Sequence, residues 1–84
     1  MQMRPKIVLS SKFNFAVLRM SDDAEKLEVI KYFENGLDAV CAAFVSLKGE
    51  SVKLIIAERG AFPVMVLNGK IVDYFFREWV VIWK

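Results

Sequence analysis

The stretch SVKLIIAERGAFPVMVLNGKIVDYFFREWVVIWK, residues 51–84, decides the fold because it holds most of the strand-forming residues and both tryptophans of the chain. Within it, Asn68-Gly69 separates two apolar runs, and this dipeptide accepts the two positive φ angles of a type I′ turn. The sequence therefore predicts a hairpin. Its facing pairs are Leu67 and Lys70, Val66 and Ile71, Met65 and Val72, and Val64 and Asp73.

A third strand is predicted upstream of this hairpin. Residues 52–57 form another β-rich run, which Glu58-Arg59-Gly60 closes. Pro63 follows, and it fits best at the first residue of a strand or on an edge, where its missing N–H is harmless. Three consecutive strands predict a C-terminal antiparallel meander.

The aromatic tail, residues 72–83, is compatible with two structures. Its large apolar residues have the spacing of one helical face, with Asp73 available as an N-cap. These residues are Val72, Phe75, Phe76, Trp79, Val80 and Trp83. Aromatic and β-branched side chains are also strand formers, and as a strand the tail places Phe75, Trp79 and Trp83 on one side. The composition favours the strand.

The N-terminal part predicts a second hairpin. Residues 6–9 and 13–20 have the composition of strands, and Ser10-Ser11-Lys12 joins them. Pro5, directly before the first run, indicates an edge position.

The middle of the chain predicts helix. Ser21 or Asp22 is a suitable N-cap, Glu25 has capping-box spacing, and Asn35-Gly36 is a plausible stop, so a helix is expected from Asp22 to Asn35. Residues 37–47 continue the helical periodicity, with Asp38 as a cap. A buried strand followed by a turn at residues 48–51 is the alternative.

Together these elements predict one α+β domain over residues 1–84. We expect an antiparallel sheet of about five strands, made of the N-terminal hairpin and the C-terminal meander, with one or two helices packed on one face. The expected chain order is β-β-α-(α)-β-β-β. Because 56% of the residues are hydrophobic, some apolar surface is expected to stay exposed or to meet a partner.

Composition excludes several function classes. The net charge is only +2, from 12 basic and 10 acidic residues, so no acidic or nucleic-acid partner is demanded. One cysteine and no histidine exclude an intramolecular disulfide and remove the commonest metal ligand. We expect no cofactor, no metal, no membrane span and a cytoplasmic location. The bias towards Lys, Glu and aliphatic residues is sometimes found in proteins from hot environments.

Candidate catalytic residues are few, and each has a simpler structural interpretation. Cys41 lies in an Ala/Val/Phe run and is expected to be an inert core residue. Asp22 and Asp23 are interpreted as helix-capping residues, and Asp73 and Glu78 as cap or surface charges, although carboxylates beside aromatic rings sometimes serve in acid–base chemistry. The sequence therefore does not predict an enzyme. A thiol carrier using Cys41 is the enzymatic alternative.

The leading hypothesis is a non-enzymatic interaction module that forms a homodimer through an aromatic C-terminal surface, because aromatic residues are favoured interface anchors. Its candidate contact residues are Phe75, Phe76, Trp79 and Trp83. The alternative is nucleic-acid binding, in which basic residues meet phosphates while Phe13 and Phe15 stack on bases. Its candidate residues are Arg4, Lys6, Lys12 and Arg19.

Overall fold

The computed structural model describes residues 4–45 and 52–84. Within these ranges the chain forms seven strands and one helix. In chain order they are β1 (Lys6–Leu9), β2 (Phe15–Met20), β3 (Leu27–Phe33), α1 (Gly36–Val45), β4 (Lys53–Glu58), β5 (Val64–Leu67), β6 (Lys70–Asp73) and β7 (Val80–Trp83). The α+β class is confirmed.

Five of these strands form one antiparallel sheet, in the order β3-β2-β4-β5-β6. The prediction of a five-stranded antiparallel sheet is confirmed. β2 and β4 lie inside the sheet, and their side chains are largely buried on both faces. A strand buried on both faces needs a nearly continuous apolar run, which explains the high hydrophobic content of the chain.

The predicted meander is present as β4, β5 and β6. Asn68 and Gly69 have φ angles of 52° and 72°, as a type I′ turn requires. Leu67 faces Lys70 and Val66 faces Ile71, as predicted. Beyond this point the predicted register is wrong, because a β-bulge inserts one residue and Met65 faces Asp73 instead of Val72.

The predicted N-terminal hairpin is wrong, although both of its strands exist. β2 pairs with β3 on one side and with β4 on the other, so neither edge of β2 is free for β1. β1 instead pairs in parallel with β7, from Lys6 opposite Val80 to Leu9 opposite Trp83. Backbone bonds continue this pairing: the Lys84 N–H donates to the Leu9 carbonyl at 2.8 Å.

The predicted helix from Asp22 to Asn35 is also wrong, because residues 27–33 form β3. Two of the side chains taken for a helix cap, those of Ser21 and Asp23, instead close the turn between β2 and β3. The Lys26 N–H donates to Ser21 Oγ at 3.0 Å, and the Glu25 N–H donates to Asp23 Oδ1 at 3.1 Å. Ala24 has a φ of 60°, which no helix tolerates. Ser and Asp favour turns for the same reason that they favour caps, since both use local side-chain to backbone bonds.

This turn makes a testable prediction about the titration of Asp23. The Ser21 hydroxyl donates to the Asp23 carboxylate at 2.6 Å, and this bond, together with that from the Glu25 N–H, holds the pKa of Asp23 below its ordinary value of 3.8. The Asp23 contribution to stability is therefore present above pH 3.8 and is lost as the pH falls through the lowered pKa. In an NMR titration of the carboxyl carbons, Ser21→Ala should raise the pKa of Asp23. An unchanged pKa would contradict the assigned bond.

The second predicted helix is confirmed as α1 up to Val45, but it begins at Gly36 and its cap is Asn35, not Asp38. Residues 46 and 47 of the prediction lie outside the described residues. The Leu37 N–H donates to Asn35 Oδ1 at 2.8 Å. Gly36 permits a close approach between the start of α1 and the ring of Phe15, since a Cβ placed at Gly36 would lie 2.9 Å from that ring. Ala39 and Ala43 are the buried residues of this helix. The alternative turn at residues 48–51 lies outside the described residues.

The two faces of the sheet carry separate hydrophobic cores. α1 covers one face, where Ala39 and Ala43 pack on Val17, Leu54 and Val66. The pair formed by β1 and β7, here called the ribbon, covers the other face. The core beneath the ribbon contains Leu9, Ala16, Leu18, Met20, Ile55, Ala57, Met65 and Phe76, with Ile7, Val81 and Trp83 packed against it. The domain therefore has three layers: helix, sheet and ribbon.

The aromatic tail takes neither predicted form over its whole length. β6 ends at Asp73 and β7 begins at Val80, and residues 74–79 between them are irregular. The Phe76 N–H donates to the Pro63 carbonyl at 3.0 Å, which brings the tail back across the end of the sheet. The strand is confirmed for the last four residues before Lys84, and the alternative helix is wrong.

Candidate interaction surface and aromatic cleft

The four predicted contact residues of the C-terminal surface do not lie on one surface. Phe76 is 1% exposed and belongs to the core beneath the ribbon. Trp79 and Trp83 are half-buried and pack against that same core. Of the four, only Phe75 exposes most of its side chain to solvent, at 58%. The prediction that these four form one contact surface is therefore wrong for Phe76.

Phe75 belongs instead to a different set of exposed apolar side chains in β6, in the residues directly after it and in the loop between β4 and β5, here called the β6 strip. It consists of Phe62, Ile71, Val72, Tyr74 and Phe75. The rings of Phe62 and Phe75 meet edge to face, with centroids 5.5 Å apart. Ten large hydrophobic side chains are exposed in the described part of the chain, and these five account for half of them. The β6 strip is thus the main concentration of exposed apolar side chains in residues 4–45 and 52–84.

β6 and β3 are the two edge strands of the sheet, and they differ in how well they are protected against pairing with another chain. β3 presents the charged side chains of Glu28 and Lys31 within the strand. β6 places its charged residues only at its ends, while Ile71 and Val72 between them are exposed. Charges in an edge strand discourage pairing with another chain. The less protected edge is therefore the one that carries the β6 strip.

The four nucleic-acid candidates are all exposed, but the structure separates them. Arg4 and Lys6 stand at the start of β1, Lys12 lies between β1 and β2, and Arg19 follows Val17 on the helix-covered face of β2. Their predicted aromatic partners are also engaged elsewhere. Phe13 stacks on Tyr32 at 5.1 Å, and Phe15 packs against α1. The basic and aromatic N-terminal surface does not form as predicted.

Arg4 instead meets the C-terminal aromatic residues at an open cleft of about 380 Å³. One wall of the cleft is β7 with the residues before it, which contribute Trp79 and Trp83. The other wall is the loop between β4 and β5, which contributes Phe62. Arg4 and Arg77 also line the cleft, and Arg4 Nη1 donates to the Arg77 carbonyl at 3.0 Å. Residues from both predicted sites thus come together here.

Cys41 is exposed on the outer side of α1, so its prediction as a core residue is wrong. It stands between Leu37 and Val45 at helical i, i+4 and i+8 spacing, and those two residues are 70% and 68% exposed. This outer stripe of α1 is the second exposed apolar surface of the described residues. It lacks aromatic side chains.

Two of the remaining candidate groups, Asp73 and Asp23, have structural partners. Asp73 Oδ1 accepts the Phe75 N–H at 2.8 Å, which fixes the turn after β6. Asp23 belongs to the turn between β2 and β3. Among residues 4–45 and 52–84, no three His, Cys, Asp or Glu side chains cluster as a metal site requires. Within the same ranges, no helix is long and apolar enough to cross a membrane.

Sequence reasoning missed Phe62 and Arg77, which link the β6 strip to the cleft. The Arg77 guanidinium lies over the Phe62 ring, 5.0 Å from its centroid. An aromatic residue in a Gly- and Pro-containing loop was the available signal for Phe62.

Comparison with known proteins finds no match to this chain among protein-family models, curated proteins or solved structures.

Proposed function

We propose that this protein is a non-enzymatic interaction module that forms a homodimer through the β6 strip. The observation that supports this proposal is that four exposed large apolar side chains lie in the edge strand β6 or directly after it, and that a fifth, Phe62, contacts the Phe75 ring. Monomeric proteins rarely leave a large contiguous apolar surface in water, and a symmetric dimer is the commonest way to cover one. The proposed setting is the cytoplasm, where Cys41 stays reduced.

The proposed contact joins two β6 strands side by side in antiparallel orientation. An edge strand has backbone N–H and carbonyl groups that its own sheet does not use, and a second edge can satisfy them. In an antiparallel arrangement the Lys70 end of one copy approaches the Asp73 end of the other, so opposite charges meet at both ends. Phe62, Tyr74 and Phe75 add aromatic contact area beside the paired strands.

Two truncations of similar exposed residues test this surface. Phe75→Ala should weaken self-association by about 30-fold, because buried aromatic anchors at an interface contribute about 2 kcal/mol or more. Leu37→Ala removes a side chain that is even more exposed, from the outer stripe of α1, and should leave association unchanged. Sedimentation equilibrium gives the dissociation constant of each variant.

The opposite pattern would reject the β6 strip. If Leu37→Ala weakens association and Phe75→Ala does not, the contact lies on α1. In that case the central Cys41 residues of two antiparallel helices would face each other, and mild oxidation would join the copies by a disulfide. For contact through the β6 strip, we expect no rapid disulfide of this kind.

A further inference from the structure

The cleft between β7 and the loop joining β4 to β5 has the composition of a small-molecule site. Its volume of about 380 Å³ lies within the usual range for ligand pockets, roughly 300–1,000 Å³. Trp79 and Trp83 are its largest aromatic side chains, and each is held by packing on the core beneath the ribbon. Aromatic walls that are already fixed lose little conformational entropy when a flat molecule stacks on them.

Two positive charges lie at this cleft. Arg4 donates to a neutral carbonyl and Arg77 lies over the Phe62 ring, so these two contacts orient the guanidinium groups without neutralising them. Arg4 precedes β1 and Arg77 precedes β7, which places both at the end where the parallel ribbon begins. Guanidinium groups are the side chains best suited to phosphate and carboxylate groups.

Glu58 is the acidic side chain among the lining residues. A carboxylate accepts N–H groups and repels a second anion. The preferred occupant therefore has three parts: a flat aromatic ring, N–H donors on that ring, and one anionic group set apart from it.

We propose that this cleft binds a nucleoside monophosphate, with the base stacked on the tryptophans and the phosphate held by Arg4 and Arg77. Bases stack favourably on aromatic side chains. Hydrogen bonds to charged groups are stronger than those between neutral groups. The proposed site does not depend on self-association, because the residues that would contact the ligand all lie within one copy of the chain. They are Arg4, Arg77, Trp79 and Trp83.

The two tryptophans are the only ones in the chain, so their fluorescence reports on this cleft directly. Titration with adenosine monophosphate, excited at the red edge of the tryptophan band where adenine does not absorb, should give saturable quenching. Arg4→Gln and Arg77→Gln should each weaken binding by about tenfold or more. The matched control Arg19→Gln removes the same charge from the opposite face of the sheet and should change nothing.

Further probes distinguish a nucleotide site from a general anion site. Adenosine and inorganic phosphate should each bind at least about tenfold more weakly than the monophosphate, since each supplies only part of the contact. The proposal would be overturned by the absence of quenching at millimolar adenosine monophosphate. It would also be overturned if Arg19→Gln lost as much affinity as Arg4→Gln and Arg77→Gln. Much tighter binding of single-stranded oligodeoxyadenylate than of the monophosphate would also overturn it. The molar mass, followed in the same samples, separates ligand binding from any change in self-association.

Discussion

Replacement of Phe76 by alanine is expected to lower the free energy of unfolding by about 3–5 kcal/mol. The ring is 1% exposed and fills the core between the ribbon and the sheet, so its removal leaves a cavity as well as losing buried area. A domain of this size has little stability in reserve, since natural domains unfold at a cost of about 5–15 kcal/mol. Urea denaturation followed by circular dichroism, at a protein concentration where light scattering gives the monomer mass, measures the loss.

Phe75→Ala is the matched control for this prediction. Phe75 is the neighbouring residue and carries the same ring, but it is 58% exposed. We expect its truncation to cost less than about 1 kcal/mol in the monomer, as surface substitutions usually do. Equal destabilisation by the two substitutions would contradict the assignment of Phe76 to the core and Phe75 to the surface.

Trp83→Asp is expected to destabilise the fold by about 3 kcal/mol or more, and thus to unfold much of the protein. Trp83 is paired with Leu9 in the ribbon and packs on the buried core, so the substitution removes a large ring and places a carboxylate against apolar groups. Thermal unfolding monitored by circular dichroism measures the effect, with Trp83→Phe as the conservative control.

The contrary outcome for Trp83→Asp is informative. If the variant dissociates into monomers that keep the stability of the wild-type chain, Trp83 is an interface anchor and not part of the core. The ribbon would then be the contact surface, and the β6 strip would be rejected.

The meander was predictable because its signals are local. Asn68-Gly69 specifies a type I′ turn without help from the rest of the chain, and the apolar runs on either side can only pair across it. The bulge that shifts Met65 to Asp73 was not predictable, since no residue in β5 or β6 marks it. The ribbon was not predictable either, because pairing of β1 with β7 depends on contacts between the two ends of the sequence.

β3 shows why a strong local pattern can mislead. Ser21, Asp22 and Glu25 match a capping box, but the Ser21 and Asp23 side chains close a turn here. Side chains of these types serve both structures, and only the neighbouring strand decides between the two. Val29, Tyr32 and Phe33 are β-branched or aromatic, and pairing with β2 stabilises them as a strand. Tertiary context therefore overrides the capping signal here.

The sequence predicted which kinds of residue form the candidate surface, but not how the structure arranges them. An apolar excess in the aromatic tail correctly pointed to exposed hydrophobic surface, which includes Phe75. Which aromatic side chains face the core depends on how the tail crosses the end of the sheet, and the Phe76 to Pro63 backbone bond that fixes this crossing has no sequence signal. The meeting of Arg4 with Arg77 depends equally on the ribbon.

The molar mass of the wild-type chain across a concentration series is the most direct test of the proposed homodimer. Light scattering should give 9.6 kDa at the lowest concentrations and approach twice that value as the concentration rises. The transition should move to higher concentration in Phe75→Ala. A constant 9.6 kDa at every concentration would contradict self-association, and with it the proposed role of the β6 strip as a contact between copies of this chain.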